Sequence, residues 1–200
     1  MSKFKIFCKD KKFHLTDNKL FSFQMILLAP CLIHEIFFKE TEYSPFEMSL
    51  LYILVFLMLI SLILNLSSYF RYKPLEGKIE GEIELLENEI IINKEVLKIY
   101  EIKNIEITND DFLDFIEPYN KYVMLGRKSH GVNNEIQILL NNRKKYKINY
   151  QQDQNHDMQD CKELLKIYYS KGIITIENLL YVLGIVDDHE KREFEKTLAK

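Results

Sequence analysis

From Met48 to Phe70 the chain carries no Asp, Glu, Lys, Arg or His. As an α-helix rising about 1.5 Å per residue, such a stretch extends roughly 34 Å, enough to cross a hydrocarbon layer of about 30 Å. The pattern predicts a membrane-spanning helix over 48–70. A second apolar run precedes it, Leu20–Phe38, interrupted by Gln24, Pro30, His34 and Glu35. Pro30 would remove one backbone hydrogen bond and kink a helix there, which membrane helices tolerate. The competing account of this run is a lipoprotein signal ending at Leu28-Ala29-Pro30-Cys31. That box wants a small residue directly before the cysteine, and Pro30 counts against it.

Basic residues in the short flanks set the expected orientation. Lys3, Lys5, Lys9, Lys11, Lys12 and Lys19 precede the first run, and Arg71, Lys73 and Lys78 follow the second, while residues 39–47 carry one lysine and three glutamates. The expectation is therefore a helical membrane hairpin with both termini cytoplasmic. The segments are a basic terminus 1–19, helices 20–38 and 48–70, and an external loop 39–47. Gln24, Cys31 and Glu35 share one face of the first helix, and Ser61, Asn65 and Ser68 one face of the second. Gln24 and Asn65 sit at similar depth, which predicts an interhelical hydrogen bond between them, worth about 0.6–2 kcal/mol. His34 and Glu35 are candidate functional membrane residues, because ionisable groups inside a membrane are usually functional. Glu35 lies three residues from Phe38, so a carboxylate resting at the interface is the simpler account.

Charge divides the chain. Residues 1–73 hold nine Lys/Arg against six Asp/Glu, and residues 74–200 hold eighteen against twenty-four, within a formal net charge of -3. An acidic segment of this length can build one modest core, and it argues against nucleic acid, whose phosphates need Lys or Arg. Cys8, Cys31 and Cys161 are too scattered for a disulfide framework or a metal site.

From Gly77 the periodicity becomes two. Ile79, Gly81, Ile83 and Leu85 alternate with Glu80, Glu82 and Glu84, and short strands follow near Ile90–Ile92, Val96–Tyr100, Ile102–Thr108 and Lys121–Leu125. A hairpin joins Ile136, Ile138 and Leu140 to Tyr146, Ile148 and Tyr150, with Lys145, Lys147 and Asn149 facing water. Helical spacing begins near Asp157, with Met158, Cys161, Leu164, Leu165 and Tyr168 on one stripe. Gly172 ends that helix, Thr175 caps a second one through Leu183, and Asp187–Lys200 reads as a solvated helix.

Strands followed by an amphipathic helix predict an α+β domain over 77–171 with a helical extension over 172–200. The segments GKIEGEIELLENEIIINKEVLKIYEIKNIEI, GVNNEIQILL…KKYKINYQ and CKELLKIYYSKGIITIENLL, behind two apolar runs, resemble small bacterial membrane proteins that carry a cytoplasmic pleckstrin-homology-like domain. The resemblance implies an antiparallel β-barrel or roll capped by a C-terminal helix, and a location in a bacterial inner (plasma) membrane. Phosphoinositide-binding members use basic residues between the first two strands. Here that loop is Glu87-Asn88-Glu89, which would repel a phosphorylated headgroup.

No combination of nucleophile, base and orienting group suggests an enzyme, and no cofactor or metal is implied. Asp110, Asp111, Asp114 and Glu117 read as a solvated loop, since no glycine supports a calcium turn. Tyr100, Tyr119, Tyr122 and Tyr146 read as barrel-wall residues. Two basic segments are candidate partner contacts: Arg127, Lys128, Ser129 and His130 between Gly126 and Gly131, and Arg143, Lys144 and Lys145 at the hairpin tip. The leading expectation is a membrane-anchored, non-enzymatic interaction module, with the lipid bilayer, an unidentified protein and further copies of itself as partners. The alternative is an oligomeric membrane-perturbing or conducting hairpin regulated by its cytoplasmic domain.

Overall fold

The computed structural model describes residues 2–10, 19, 22–29, 33, 44–67, 70–116, 126–154 and 157–198, with the side chains at 47 and 64–66 outside that description. The chain forms two compact units. A sheet unit comprises Met1–Lys11, Leu75–Phe115 and Ser129–Lys200, and a helical unit comprises Lys12–Pro74 and Ile116–Lys128.

The sheet unit starts where a basic tail was expected. β1 (Ser2–Lys9) alternates outward Lys3 and Lys5 with buried Phe4 and Ile6. The sequence returns to the sheet with β2 (Gly77–Leu85), β3 (Glu89–Ile92), β4 (Glu95–Lys98) and β5 (Ile102–Thr108), then β8 (Asn134–Leu140) and β9 (Lys145–Gln151). These seven strands form one antiparallel sheet in the order β4-β3-β2-β1-β9-β8-β5. β6 (Leu113–Ile116) and β7 (Lys128–His130) form a separate two-stranded ladder. β1 is central. Its ends pair Ser2 with Leu85 and Lys9 with Gly77 on one side, and Lys5 pairs with Gln151 on the other.

One bulge sets the faces of β1 and β2. Lys5 pairs with Glu82 but Phe7 with Ile79, so β2 spends an extra residue there, and Gly81 adopts φ 93°. An added Cβ at Gly81 would lie 2.0 Å from Asn93 Oδ1, which accepts a hydrogen bond from the Glu82 amide. Glycine serves because it has no Cβ and enters positive φ without strain. Beyond the bulge the alternation inverts. Ile83 and Leu85 belong to the main core, whereas Ile79, opposite Phe7, is partly exposed.

The core lies between the inner face of the sheet and three helices, α2 (Lys162–Ser170), α3 (Ile176–Val182) and α4 (Asp188–Leu198). The expected stripe is present: Met158, Cys161, Leu165 and Tyr168 are all buried, and the Tyr168 hydroxyl donates to the Leu86 carbonyl at 2.7 Å. Thr175 caps α3 by accepting from the Asn178 amide at 3.2 Å. Asp157 receives the Asp153 and Gln154 amides and so closes the turn leading into the helical segment. The core continues through Ile173, Ile174, Leu179 and Val182 to Phe194 of α4. The terminal helix therefore docks on the core through Phe194 and Leu198, although most of its surface is charged.

Three expectations are corrected. The first is the spanning hairpin. Residues 22–29 are helical, and α1 runs Pro45–Leu66. Among the described residues no helix is long and apolar enough to cross a membrane. The second is location. With no spanning helix among the described residues, the inner-membrane assignment and the cytoplasmic placing of both termini lose their basis. The amino-terminal lysines have a different explanation, because Lys3 and Lys5 are the outward half of a strand.

The third is the pleckstrin-homology-like barrel. That reading began the domain at Gly77 and left out β1, which joins β2 to β9 in a continuous sheet. No ladder between β4 and β5 closes this sheet. Those two edge strands are nevertheless consecutive, joined by a 3-10 turn at Ile99–Glu101, so the sheet must curl until its edges approach one another. The expected strand Lys121–Leu125, the run 34–43, Pro30, Cys31 and Glu117 lie outside the described residues.

Candidate functional site

The two edges of the curled sheet differ. On β5 the outward backbone groups are occupied: the Ile105 amide donates to Ile173 O at 2.6 Å, the Ile107 amide to Asn178 Oδ1 at 2.9 Å, and Asn178 Nδ2 to Ile107 O at 2.8 Å. That edge is sealed, which is how proteins avoid unwanted strand pairing. β4 is not sealed. Its hairpin with β3 turns on Asn93 and Lys94, with Asn93 at φ 56°, so Ile92 and Glu95 form the hydrogen-bonded pair next to the turn. Alternation then points the N–H and C=O of Val96 and Lys98 away from β3. The side-chain contacts agree: the Lys98 amide meets Glu101 Oε2 outside the sheet at 3.3 Å, and the next amide, Ile99, turns inward to Asn88 O.

Tyr100 stands beside this open edge and is 79% exposed. Its carbonyl is pinned by Asn141 Nδ2 at 2.9 Å, and the Asn141 amide donates to Glu101 O at 2.8 Å, so the side chain projects from a fixed backbone. A groove flanks it on each side. One, of 480 Å³, runs between Val96 and the β8–β9 turn. The other, of 690 Å³, is bounded by Ile99, Ile102, Lys171 and Ile173. Lys171 is held against that floor by Glu87 O at 2.7 Å and Asn88 Oδ1 at 3.2 Å.

At the mouth of the smaller groove Tyr146 OH donates to Glu95, and Lys144 reaches the same Oε1 at 3.2 Å. The Tyr146 hydrogen bond, and then that of Lys144, hold the Glu95 carboxyl below the usual carboxylate range. A carboxylate stabilised in the folded state contributes stability above its unfolded pKa and loses it as pH falls through the folded value. Titrating the Glu95 carboxyl by NMR should give a midpoint below that of an ordinary glutamate, and Tyr146→Phe should raise it. A midpoint unmoved by Tyr146→Phe would remove this latch from the groove.

The expected contact residues do not form one surface. Ser129 and His130 lie by the Asn134 end of β8, and Arg143, Lys144 and Lys145 at the Leu140 end, roughly 20 Å away at about 3.3 Å per residue. Ser129 is buried; its hydroxyl donates to Asp111 Oδ2 at 2.7 Å and accepts from the Gly131 amide at 3.0 Å. The His130 carbonyl receives Gln151 Nε2. Arg127 is half-buried, and Lys128 Nζ lies 5.7 Å from the Tyr72 ring centre. Arg143 occupies the turn at φ 69°, exposed alongside Lys145, and Lys144 belongs to the Glu95 latch.

In the helical unit Gln24 Nε2 donates to Leu57 O at 3.1 Å and to Ser61 Oγ. The Asn65 side chain, His34 and Glu35 lie outside the described residues. Asp111, expected in a solvated loop, is buried and organises the 129–134 segment. Among the described residues no cluster of three or more His, Cys, Asp or Glu is placed to hold a metal.

The residues missed by sequence reading are Glu95, Val96 and the outward Tyr100. Period two would have found them. With Leu97 and Ile99 buried, the intervening Val96, Lys98 and Tyr100 must face out. Comparison with protein-family models, with curated proteins and with solved structures gives no match.

Proposed function

We propose that the sheet unit is a non-enzymatic interaction module that binds an extended peptide segment of a protein partner along β4, with Tyr100 as its aromatic contact. The open β4 edge carries this reading. Outward amide and carbonyl groups supply affinity for an added strand whatever its sequence, and the grooves beside the strand supply side-chain selectivity. Glu95 and Lys144 already satisfy one another, which favours a partner with apolar or aromatic side chains over a highly charged one. The conducting or membrane-perturbing alternative needs a spanning hairpin, and among the described residues no helix is long and apolar enough to cross a membrane.

The test uses the full chain and a display library of random peptides, followed by amide chemical shifts. Selected peptides should perturb Val96, Lys98 and Tyr100. Val96→Pro removes one outward N–H without breaking a ladder bond to β3, and proline is tolerated at such edge positions. Peptide affinity should fall at least about tenfold in that variant, a loss of about 1.4 kcal/mol or more, with the unfolding midpoint close to wild type. Equal binding by wild type and the variant, or shifts confined to other strands, would sink the proposal.

A further inference from the structure

We infer that the chain associates with a second copy of itself through one face of α1. This rests on the helical unit alone and is independent of peptide binding by the sheet. Tyr52, Val55, Phe56, Leu59, Leu62 and Ile63 are all large and apolar, and each is between 49% and 67% exposed. Their spacing is regular: 52 and 59, 55 and 62, and 56 and 63 are each seven apart. Three positions per heptad, repeated twice, draw an apolar stripe along one side of the helix, and Ile53 and Met58, 49% and 58% exposed, widen the bare surface on its two flanks. A seven-residue repeat is the pattern by which two similar helices mesh side chains at a shallow crossing angle.

The opposite side of α1 is already occupied. Leu54 is buried, and at Leu57 and Ser61 the carbonyl and hydroxyl are taken by Gln24. The stripe is therefore the centre of the surface that internal packing leaves bare. Six such side chains, more than half bare on average, present on the order of 700 Å² of apolar surface. That exceeds the roughly 300–600 Å² patch of a typical monomer and approaches the roughly 800 Å² each partner contributes to a standard interface. The stripe contains no charged residue, so nothing in it repels an identical stripe.

Sedimentation velocity of the full chain, across a wide range of concentration, tests this. The expected result is one discrete oligomer in reversible exchange with monomer. Leu59→Glu, which places a carboxylate at the centre of the stripe, should weaken association at least about a hundredfold with an unchanged far-ultraviolet spectrum. The wild-type result decides the matter even if that variant misfolds. A monomer at every concentration overturns the inference, and so does a polydisperse aggregate without fixed stoichiometry. A third overturning outcome is wild type that floats as monomer with phosphatidylcholine vesicles, because lipid would then be what covers the stripe.

Discussion

Removing residues 2–9 unfolds the sheet unit. The deletion takes out the central strand, leaving β4-β3-β2 and β9-β8-β5 as three-stranded fragments with no shared ladder. It also removes Phe4 and Ile6 from the core, and Phe7, which is 5% exposed on the other face. Burial of each such side chain contributes about 1.5–3 kcal/mol. Three of them, with the lost pairing to Glu82–Leu85 and to Asn149–Gln151, match or exceed the roughly 5–15 kcal/mol by which a domain is stable. Circular dichroism of the truncated chain should show no cooperative thermal transition from the sheet. Adding the peptide SKFKIFCK in excess should restore one, since a missing strand can be supplied in trans. A truncated chain that melts like wild type would mean β1 is not the strand between β2 and β9.

Asp111→Ala should destabilise the same unit by about 2–3 kcal/mol. Asp111 is 4% exposed, and its Oδ2 accepts from Ser129 Oγ at 2.7 Å and from the Asn133 amide at 3.0 Å. Hydrogen bonds to a charged group each contribute about 1.5–3 kcal/mol, and deleting the acceptor strands the buried Ser129 hydroxyl and the part-buried Asn133 amide. One term opposes this. Asp111 Oδ1 is buried with no donor, so part of the desolvation cost disappears with the carboxylate. The main-chain clamp survives, because the Asp111 amide and carbonyl are both held by the Asn134 side chain. Asp111→Asn retains one acceptor and should lose less, and Ser129→Ala about 1 kcal/mol. Chemical denaturation of the three variants checks the order. An Asp111→Ala variant within 0.5 kcal/mol of wild type, as ordinary surface substitutions are, would make the buried node dispensable.

Much of the sheet unit was legible where periodicity was strong. The β8–β9 hairpin, the Met158–Tyr168 stripe and the Thr175 cap follow from spacing; burial matches the first two, and the Asn178 hydrogen bond the third. Two features were hidden for different physical reasons. In β1 the lysines that complete an alternating strand are also the residues that flank a membrane helix, and the neighbouring uncharged stretch decided between the two meanings wrongly. At Asp111 the composition of Asp110, Asp111 and Asp114 resembles a solvated loop. What buries one of the three is Ser129 and Asn134, about twenty residues away, and no local pattern announces that pairing. The site lies between these cases. The outward position of Tyr100 follows from alternation, but that β4 and β5 stay unpaired, with Asn178 covering β5, only the assembled fold reveals.

The insertion of the helical unit between two neighbouring strands also bears on synthesis. Sixty-seven residues separate Lys9 from its partner Gly77, and β1 waits longer still for Gln151, opposite Lys5. The β2–β3–β4 meander and the β8–β9 hairpin close locally, so the strand made first is the last to find both neighbours. At about 5–20 residues per second, the ribosome leaves β1 unpaired on its β9 side for roughly 7–30 s. Throughout that interval a short strand bearing Phe4, Ile6 and Phe7 is exposed beside its own lysines. Those charges discourage the nascent strand from pairing with a neighbour on the same message, as gatekeeper residues do beside apolar strands. The lysines thus protect the chain before it folds, as well as forming the outer face of the strand afterwards.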